Sequence, residues 1–167
     1  NIYTECPSMF ELPIAGTNQK KWVLSLAGRT YLVGDFDGYR FSAKTKAKTL
    51  NYGHDGYAGI TWQNVPNNKV IMHSWLNNWS TSADTTCWNG CNTIPVELKL
   101  DNGLNIIQTP VETATSLRKG SDLLTSRNFS QHETLFQNMR SNMFELNLDI
   151  DVSNSSTFTY SFLEGEG

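Results

Sequence analysis

The hydrophobic pattern along the chain is that of short strands separated by turn signals. Residues 21–26 form an apolar block closed by Ala27-Gly28, and residues 30–36 form a second that ends at Asp37-Gly38, a hairpin-turn dipeptide. Tyr39, Arg40 and Phe41 continue as strand, and a Lys-rich loop covers residues 44–48. The pattern then resumes over residues 57–62, 69–75, 93–100 and 104–109, with turns at Pro66-Asn67-Asn68 and Asp101-Asn102-Gly103. Short strands joined by Gly, Asn and Pro turns predict an all-β sandwich, barrel or propeller. The one helix-like stretch, residues 111–124, follows Pro110 and contains Gly120, so it predicts a linker carrying a turn or two. Residues 143–152 alternate strictly, with Phe144, Leu146, Leu148 and Ile150 on one face and Glu145, Asn147, Asp149 and Asp151 on the other. That pattern predicts a half-buried strand in a sheet with one wet face, and residues 157–163 predict a second. The change from continuous apolar blocks to strict alternation predicts two packing environments and a domain boundary near residues 110–125.

Composition narrows the picture. Of 167 residues only 17% are charged and 38% are apolar, which excludes a coiled coil or a long-helix protein. Thirteen Lys and Arg against sixteen Asp and Glu leave a net charge of −3, and no basic block exists, so no nucleic-acid partner is expected. No apolar run approaches the roughly 20 residues of a membrane helix, so no membrane partner is expected either. The chain opens at Asn1 rather than Met, which suggests a processing site or a cut. Three sequons, at Asn78, Asn128 and Asn154, point to the secretory route and to N-glycans as partners. Three cysteines are too few for a disulfide framework; Cys87 and Cys91 flank a turn through Gly90 and either bond to each other or stand as two buried thiols. His54, His73 and His132 are scattered and no metal-ligand spacing occurs, so no metal and no other cofactor is expected.

Residue chemistry on its own gives little, since most of the aromatics read as core and most of the acids as turn residues. There is no Ser-His-Asp order, phosphate-binding glycine loop or zinc helix. Acidic residues beside aromatics, among them Glu5, Asp35, Asp37 and Asp55 with Tyr3, Phe36, Tyr57, Trp62 and Trp75, suit a carbohydrate site. Sugars stack on aromatic faces, and carboxylates carry glycosidic acid/base chemistry.

Longer words extend this reading. Glu5-Cys6-Pro7-Ser8-Met9-Phe10-Glu11-Leu12-Pro13 resembles the Glu-Cys-Pro motif of glycoside hydrolase family 32, the family of invertases, inulinases and levanases. In the same order follow Val33-Gly34-Asp35-Phe36-Asp37-Gly38, Tyr52-Gly53-His54-Asp55-Gly56-Tyr57-Ala58 and Ser74-Trp75-Leu76-Asn77-Asn78-Trp79, each similar to a word of that family. Trp88-Asn89-Gly90, Ile94-Pro95-Val96-Glu97-Leu98 and Gln108-Thr109-Pro110-Val111 complete the series. The resemblance implies a five-bladed β-propeller followed by a β-sandwich. On that map residues 1–112 are the fourth and fifth blades, 113–125 a linker and 126–167 the truncated start of the sandwich.

It further implies a retaining glycosidase acting on terminal β-fructofuranosides, sucrose ahead of inulin or levan, in a secreted or vacuolar protein. Glu5 would be the general acid/base; Cys6, Asp55 and Trp75 would line the bound sugar. The family's nucleophile word and its Arg-Asp-Pro word do not occur in this chain, and Asn89 and Val96 stand where the family carries Arg. A lone acid/base cannot run a double displacement, so this chain by itself is expected to be inactive. Length agrees, because five four-stranded blades need roughly 200 residues or more. The competing readings are a non-catalytic carbohydrate-binding relative of the same fold and an unrelated all-β interaction module.

Overall fold

The computed structural model describes residues 4–77, 87–120, 128, 144–151, 153 and 159. The chain divides into two compact units, Asn1–Asp122 and Leu123–Gly167. The described residues of unit 1 hold two antiparallel sheets, each a four-stranded meander with one short extra strand at its side.

The first sheet runs β1 (Ser8–Pro13), β2 (Lys20–Leu26), β3 (Thr30–Phe36) and β4 (Phe41–Ala43) in order. The short β5 (Lys48–Thr49) pairs with the opposite end of β3, so β4 and β5 share one broken outer edge. The second sheet contains β6 (Tyr57–Thr61), β7 (Ile71–Leu76), β9 (Val96–Leu100) and β10 (Ile106–Pro110) in sequence order. The two-residue β8 (Cys91–Asn92) pairs with the end of β7 that β9 leaves open. A four-stranded antiparallel sheet of this kind is the repeating unit of a propeller.

Three expectations shift. β1, absent from the periodicity, forms because Phe10 and Leu12 point inward while Met9 and Glu11 point out, and it pairs with β2 over its full length. The expected strand over residues 93–100 begins only at Val96, since Pro95 has no N–H for the ladder and β9 pairs with β7 from Val96 onward. Residues 144–151, expected as a half-buried strand, carry no strand and are exposed, with Phe144, Leu146, Leu148 and Ile150 between 36% and 40% exposed. Alternation names a face, but a strand exists only where a neighbouring strand supplies the ladder. The described residues of 111–124 contain a six-residue 3₁₀ helix, Glu112–Leu117. The second expected strand, residues 157–163, lies outside the described residues apart from Thr159.

The core is shared by the two sheets. Leu12, Val23 and Val33 from the first and Met72, Leu98 and Leu100 from the second are buried in one cluster, with Phe10, Ile14, Tyr31 and Leu50 completing it. The register places Phe10 beside Val23 and Val23 beside Val33, an apolar row across the first sheet. Each such side chain contributes about 1.5–3 kcal/mol on burial. At one end of the seam Ile14 bridges Leu100, and the Ala15 N–H donates to the Leu100 carbonyl at 2.8 Å. Polar staples cross elsewhere. The Lys48 ammonium donates to the carbonyls of Gly103 and Leu104, each at 3.0 Å, and to Asn105 Oδ1 at 2.8 Å. The Gln108 amide donates to the Leu50 carbonyl at 2.8 Å, and Ile106 N–H to the Tyr31 hydroxyl at 3.0 Å.

At the Ala27–Gly28 turn the sheets meet backbone on backbone. Ala27 and Gly28 turn β2 into β3 with left-handed φ of 53° and 63°. A Cβ on Gly28 would lie 2.3 Å from the Gly59 nitrogen in β6, so only a bare backbone fits.

Gly28→Ala should therefore lower stability by about 2 kcal/mol or more, while Gly120→Ala, at a position with open space around it, stays within about 0.5 kcal/mol. Urea midpoints measure both, and equal midpoints would remove the contact from the account. Tyr31 supplies a pH signature. Burial pushes its phenol above the ordinary 10.0, the hydrogen bond from Ile106 partly offsets that, and Tyr52 and Asp101 add to the rise. The neutral form is favoured by folding, so its contribution is whole below about pH 10 and is lost as pH rises through the raised value. Tyr31→Phe should flatten the alkaline fall in urea midpoint, and an unchanged fall would assign it to other groups.

Candidate functional site

The site grows from the ends of three elements that meet beside the Ala27–Gly28 turn. Glu5 lies in the segment before β1, exposed, and its backbone carbonyl accepts the Ala27 N–H at 2.8 Å. Its side chain is held from the other sheet, where the Tyr57 hydroxyl at the start of β6 donates to Glu5 Oε2. The next residue, Cys6, is exposed and has a φ of 42°, a left-handed turn that directs the chain from Glu5 into β1.

Tyr57 owes its direction to a β-bulge. Tyr57 faces Trp75 across β6 and β7, but the next registered pair is Ile60 with His73, so β6 carries one extra residue. Ala58, with φ 50°, sits in that bulge. A bulge of this kind re-aims the side chain beside it. Directly opposed residues put their side chains on one face, so Tyr57 and Trp75 share a face, and Tyr57 links that face to Glu5.

Trp75 is fixed from its other side. Its indole N–H donates to the Asn89 carbonyl at 3.5 Å, and Asn77 Nδ2 donates to Asn89 Oδ1 at 2.7 Å. Gly90 has a φ of 71°, and a Cβ there would lie 2.4 Å from the Trp75 indole nitrogen. The Trp88-Asn89-Gly90 word is therefore a local packing requirement: the amide of Asn89 serves as a bracket for Asn77, and the glycine lets the loop lie on Trp75.

Asp55 lies in the loop that leads into β6. Asn51 Oδ1 accepts the Gly53 N–H at 2.9 Å, and the Arg29 guanidinium donates to the carbonyls of Gly53 at 2.8 Å and Asp55 at 3.0 Å. The carbonyls of His54 and Gly56 lie 3.4 Å from the same nitrogen.

The structure thus brings Glu5 and Trp75 to one place through Tyr57, puts Cys6 next to Glu5 in the chain, and anchors Asp55 two residues before Tyr57. The two other acids considered serve local structure. Asp35 binds Lys21 at 2.7 Å and Lys44 at 3.6 Å, and the Lys21 hydrogen bond, foremost, holds its carboxyl below the ordinary range. Asp37 accepts the N–H groups of Tyr39 and Arg40 and closes the β3–β4 turn. Cys6, Cys87 and Cys91 are exposed thiols, so the buried-thiol arrangement does not hold and no disulfide is formed among them. Among the described residues no group of three His, Cys, Asp or Glu could hold a metal ion, and no helix is long and apolar enough to cross a membrane. Asn78 and Asn154 lie outside the described residues, and Asn128 is exposed.

Arg29 escaped the sequence reading, as did the contact of Tyr57, one of the aromatics named there, with Glu5. Tyr57 sits inside a quoted word, but its aim depends on a bulge that no periodicity shows. Arg29 is a lone cation after a turn, with no sequence signal for its partners.

Comparison with known proteins agrees with this architecture. The family model for the glycosyl hydrolases family 32 N-terminal domain matches residues 1–110. A levanase of Bacillus subtilis (strain 168) is 33% identical over 181 residues, which cover 95% of this chain and 27% of the levanase. An extracellular exo-inulinase of Meyerozyma guilliermondii is 26% identical, covering 97% of this chain and 36% of its own. The chain therefore spans well under half the length of these relatives. Among solved structures, β-fructofuranosidase from Schwanniomyces occidentalis complexed with fructosyl-erythritol superposes with a TM-score of 0.59 at 30% identity over 64% of this chain and 25% of that one. Exo-inulinase from Aspergillus awamori superposes with a TM-score of 0.61 at 26% identity over 70% of this chain and 28% of that one.

Gly90→Ala should push the Trp75 indole off Asn89, shifting tryptophan emission and lowering stability by about 1–3 kcal/mol. An unchanged emission spectrum would mean that the loop does not rest on Trp75.

Proposed function

Because the chain belongs to glycosyl hydrolase family 32, we propose that the protein hydrolyses terminal β-fructofuranosides of the sucrose, inulin and levan class with retention, and that Glu5 is its general acid/base. The observation that carries this reading is the double hold on Glu5, by the Ala27 N–H on its backbone and by the Tyr57 hydroxyl on its carboxylate. A group that gives a proton in one step and takes one in the next must stay in a single position through both.

In the first step Glu5 gives its proton to the glycosidic oxygen as the bond to the anomeric carbon breaks and a nucleophilic carboxylate bonds to that carbon. In the second step Glu5 takes a proton from the water that releases the fructosyl group. Tyr57 occupies Oε2, leaving Oε1 for both transfers. Asp55 accepts hydrogen bonds from sugar hydroxyls, Trp75 offers an aromatic face, and Cys6 forms part of the wall beside Glu5.

The nucleophile and the second stabilising acid belong to a part of the protein outside these 167 residues. That placement is supported by the absence of both family words and by the small share of each relative that the chain spans. In the same reading residues 1–112 are the fourth and fifth blades of a five-bladed propeller, 113–125 a linker and 126–167 the start of a sandwich. Secretion, with glycans at Asn78, Asn128 and Asn154, is supported by the three sequons and by the extracellular exo-inulinase among the relatives.

In the whole protein, Glu5→Gln should cut sucrose or levan hydrolysis about 100-fold or more. Tyr57→Phe, which removes one hydrogen bond to a charged group, should cost roughly 10-fold in kcat. Near-wild-type turnover of Glu5→Gln would remove Glu5 from the mechanism. Binding of a fructo-oligosaccharide by the unaltered protein without any turnover would favour the non-catalytic, carbohydrate-binding reading.

A further inference from the structure

We propose that Arg29 is a positioning residue for substrate recognition: its guanidinium serves as the centre on which the Gly53–Gly56 loop is wound, and so sets where Asp55 meets the sugar. This rests on the proposed role of Asp55 and Glu5 in a fructoside site.

The geometry is specific. One terminal nitrogen of Arg29 lies 2.8 Å from the Gly53 carbonyl, 3.0 Å from that of Asp55, and 3.4 Å from those of His54 and Gly56. Four successive carbonyl dipoles therefore converge on one cation, an arrangement that would be repulsive without it. Arg29 holds the entrance to the loop as well, since its own carbonyl accepts the Leu50 N–H at 2.8 Å and the Asn51 N–H at 3.4 Å. Asn51 then closes the loop from within, accepting from Gly53 and donating to the Gly56 carbonyl at 3.4 Å. Arg29 thus holds residues 50–51 by its backbone carbonyl and residues 53–56 by its guanidinium, and the Asn51 side chain closes the loop between them.

Its position in the fold gives that side chain a wider reach. Arg29 follows directly on the Ala27–Gly28 turn, whose Ala27 N–H holds the Glu5 carbonyl and whose Gly28 packs on Gly59. Glu5 and the Asp55 loop are therefore referred to the same three residues, 27–29. Displacement of the loop changes the distance between sugar-binding and proton-transferring groups without touching either.

Lys48 supplies an internal control. It too donates to loop oxygens across the sheets, at Gly103, Leu104 and Asn105, but those belong to the β9–β10 turn and reach no residue of the proposed site. A purely structural staple and a positioning residue can thus be separated within one protein.

The test compares Arg29→Met, Arg29→Ala and Lys48→Met in the whole protein with sucrose as substrate. Arg29→Met should raise KM roughly 10- to 100-fold with a much smaller change in kcat. Lys48→Met should lower the melting temperature and leave KM unaltered. Guanidinium ion at millimolar concentration should bring the KM of Arg29→Ala back towards that of the unaltered protein, a rescue that a general loss of stability would not give. Hydrogen exchange at the Gly53 amide should accelerate in Arg29→Met alone. An unchanged KM in Arg29→Met, or equal rises in Arg29→Met and Lys48→Met, overturns the assignment of Arg29 and leaves the fructosidase reading standing. A lack of fructoside hydrolysis in the unaltered protein overturns that reading, and this inference with it.

Discussion

The backbone contact between Gly28 and Gly59 is the constraint from which the rest of unit 1 follows. Two sheets can pack at this point only if no side chain stands between them, and a Cβ on Gly28 would lie 2.3 Å from the Gly59 nitrogen. Both glycines lie at irregular places, one in a turn with left-handed φ and the other in the bulge of β6. Neither irregularity is a defect of the sheet. The turn presents the Ala27 N–H to Glu5 and the Arg29 side chain to residues 53–56, and the bulge directs Tyr57 to Glu5. Proximity of the sheets and assembly of the site are one event.

The apolar core gives that contact its stability without specifying it. Leu12, Val23, Val33, Leu98 and Leu100 are essentially sealed from solvent, and their burial draws the sheets together. Burial is non-directional, however, and would tolerate small sliding of one sheet over the other. The staples remove that freedom. Lys48, Gln108 and the Tyr31 hydroxyl bind backbone groups at one region of the seam, Ala15 binds Leu100 at another, and Arg29 binds the loop before β6. Each joins a side chain or N–H of one segment to a backbone group of another, so each is sensitive to register in a way that leucine packing is not.

Much of the fold was legible in the residues. The blocks at 21–26 and 30–36 became β2 and β3 because their apolar runs are flanked by turn residues that close a hairpin. The 104–109 and 69–75 blocks became β10 and β7 with shifts of a residue or two at the ends. β1 was not legible, since two inward residues before a proline give too short an alternation to distinguish from a loop. Residues 144–151 failed in the opposite sense: the alternation is clear, but a ladder depends on a second strand, which no pattern within the segment can supply. At the site the words carried Glu5, Asp55 and Trp75, and Tyr57 stood among the aromatics beside the acids, but the hydrogen bonds of Tyr57 and Arg29 stayed hidden because their partners are 52 residues and 24 to 27 residues away in the chain.

By itself the amino-acid sequence determined the strand class, the turn positions, the acidic and aromatic character of the candidate site and the family words that order them. Those are local properties, set by side-chain period, by backbone freedom at glycine and by residue chemistry. Only the tertiary structure decided which hydroxyl meets the Glu5 carboxylate, that Arg29 gathers the carbonyls of residues 53–56, and that Trp75 rests on the Asn89–Gly90 loop. Each of these joins residues distant along the chain; the first two exist only because one sheet packs against the other, and the third because the loop before β8 folds back over β7.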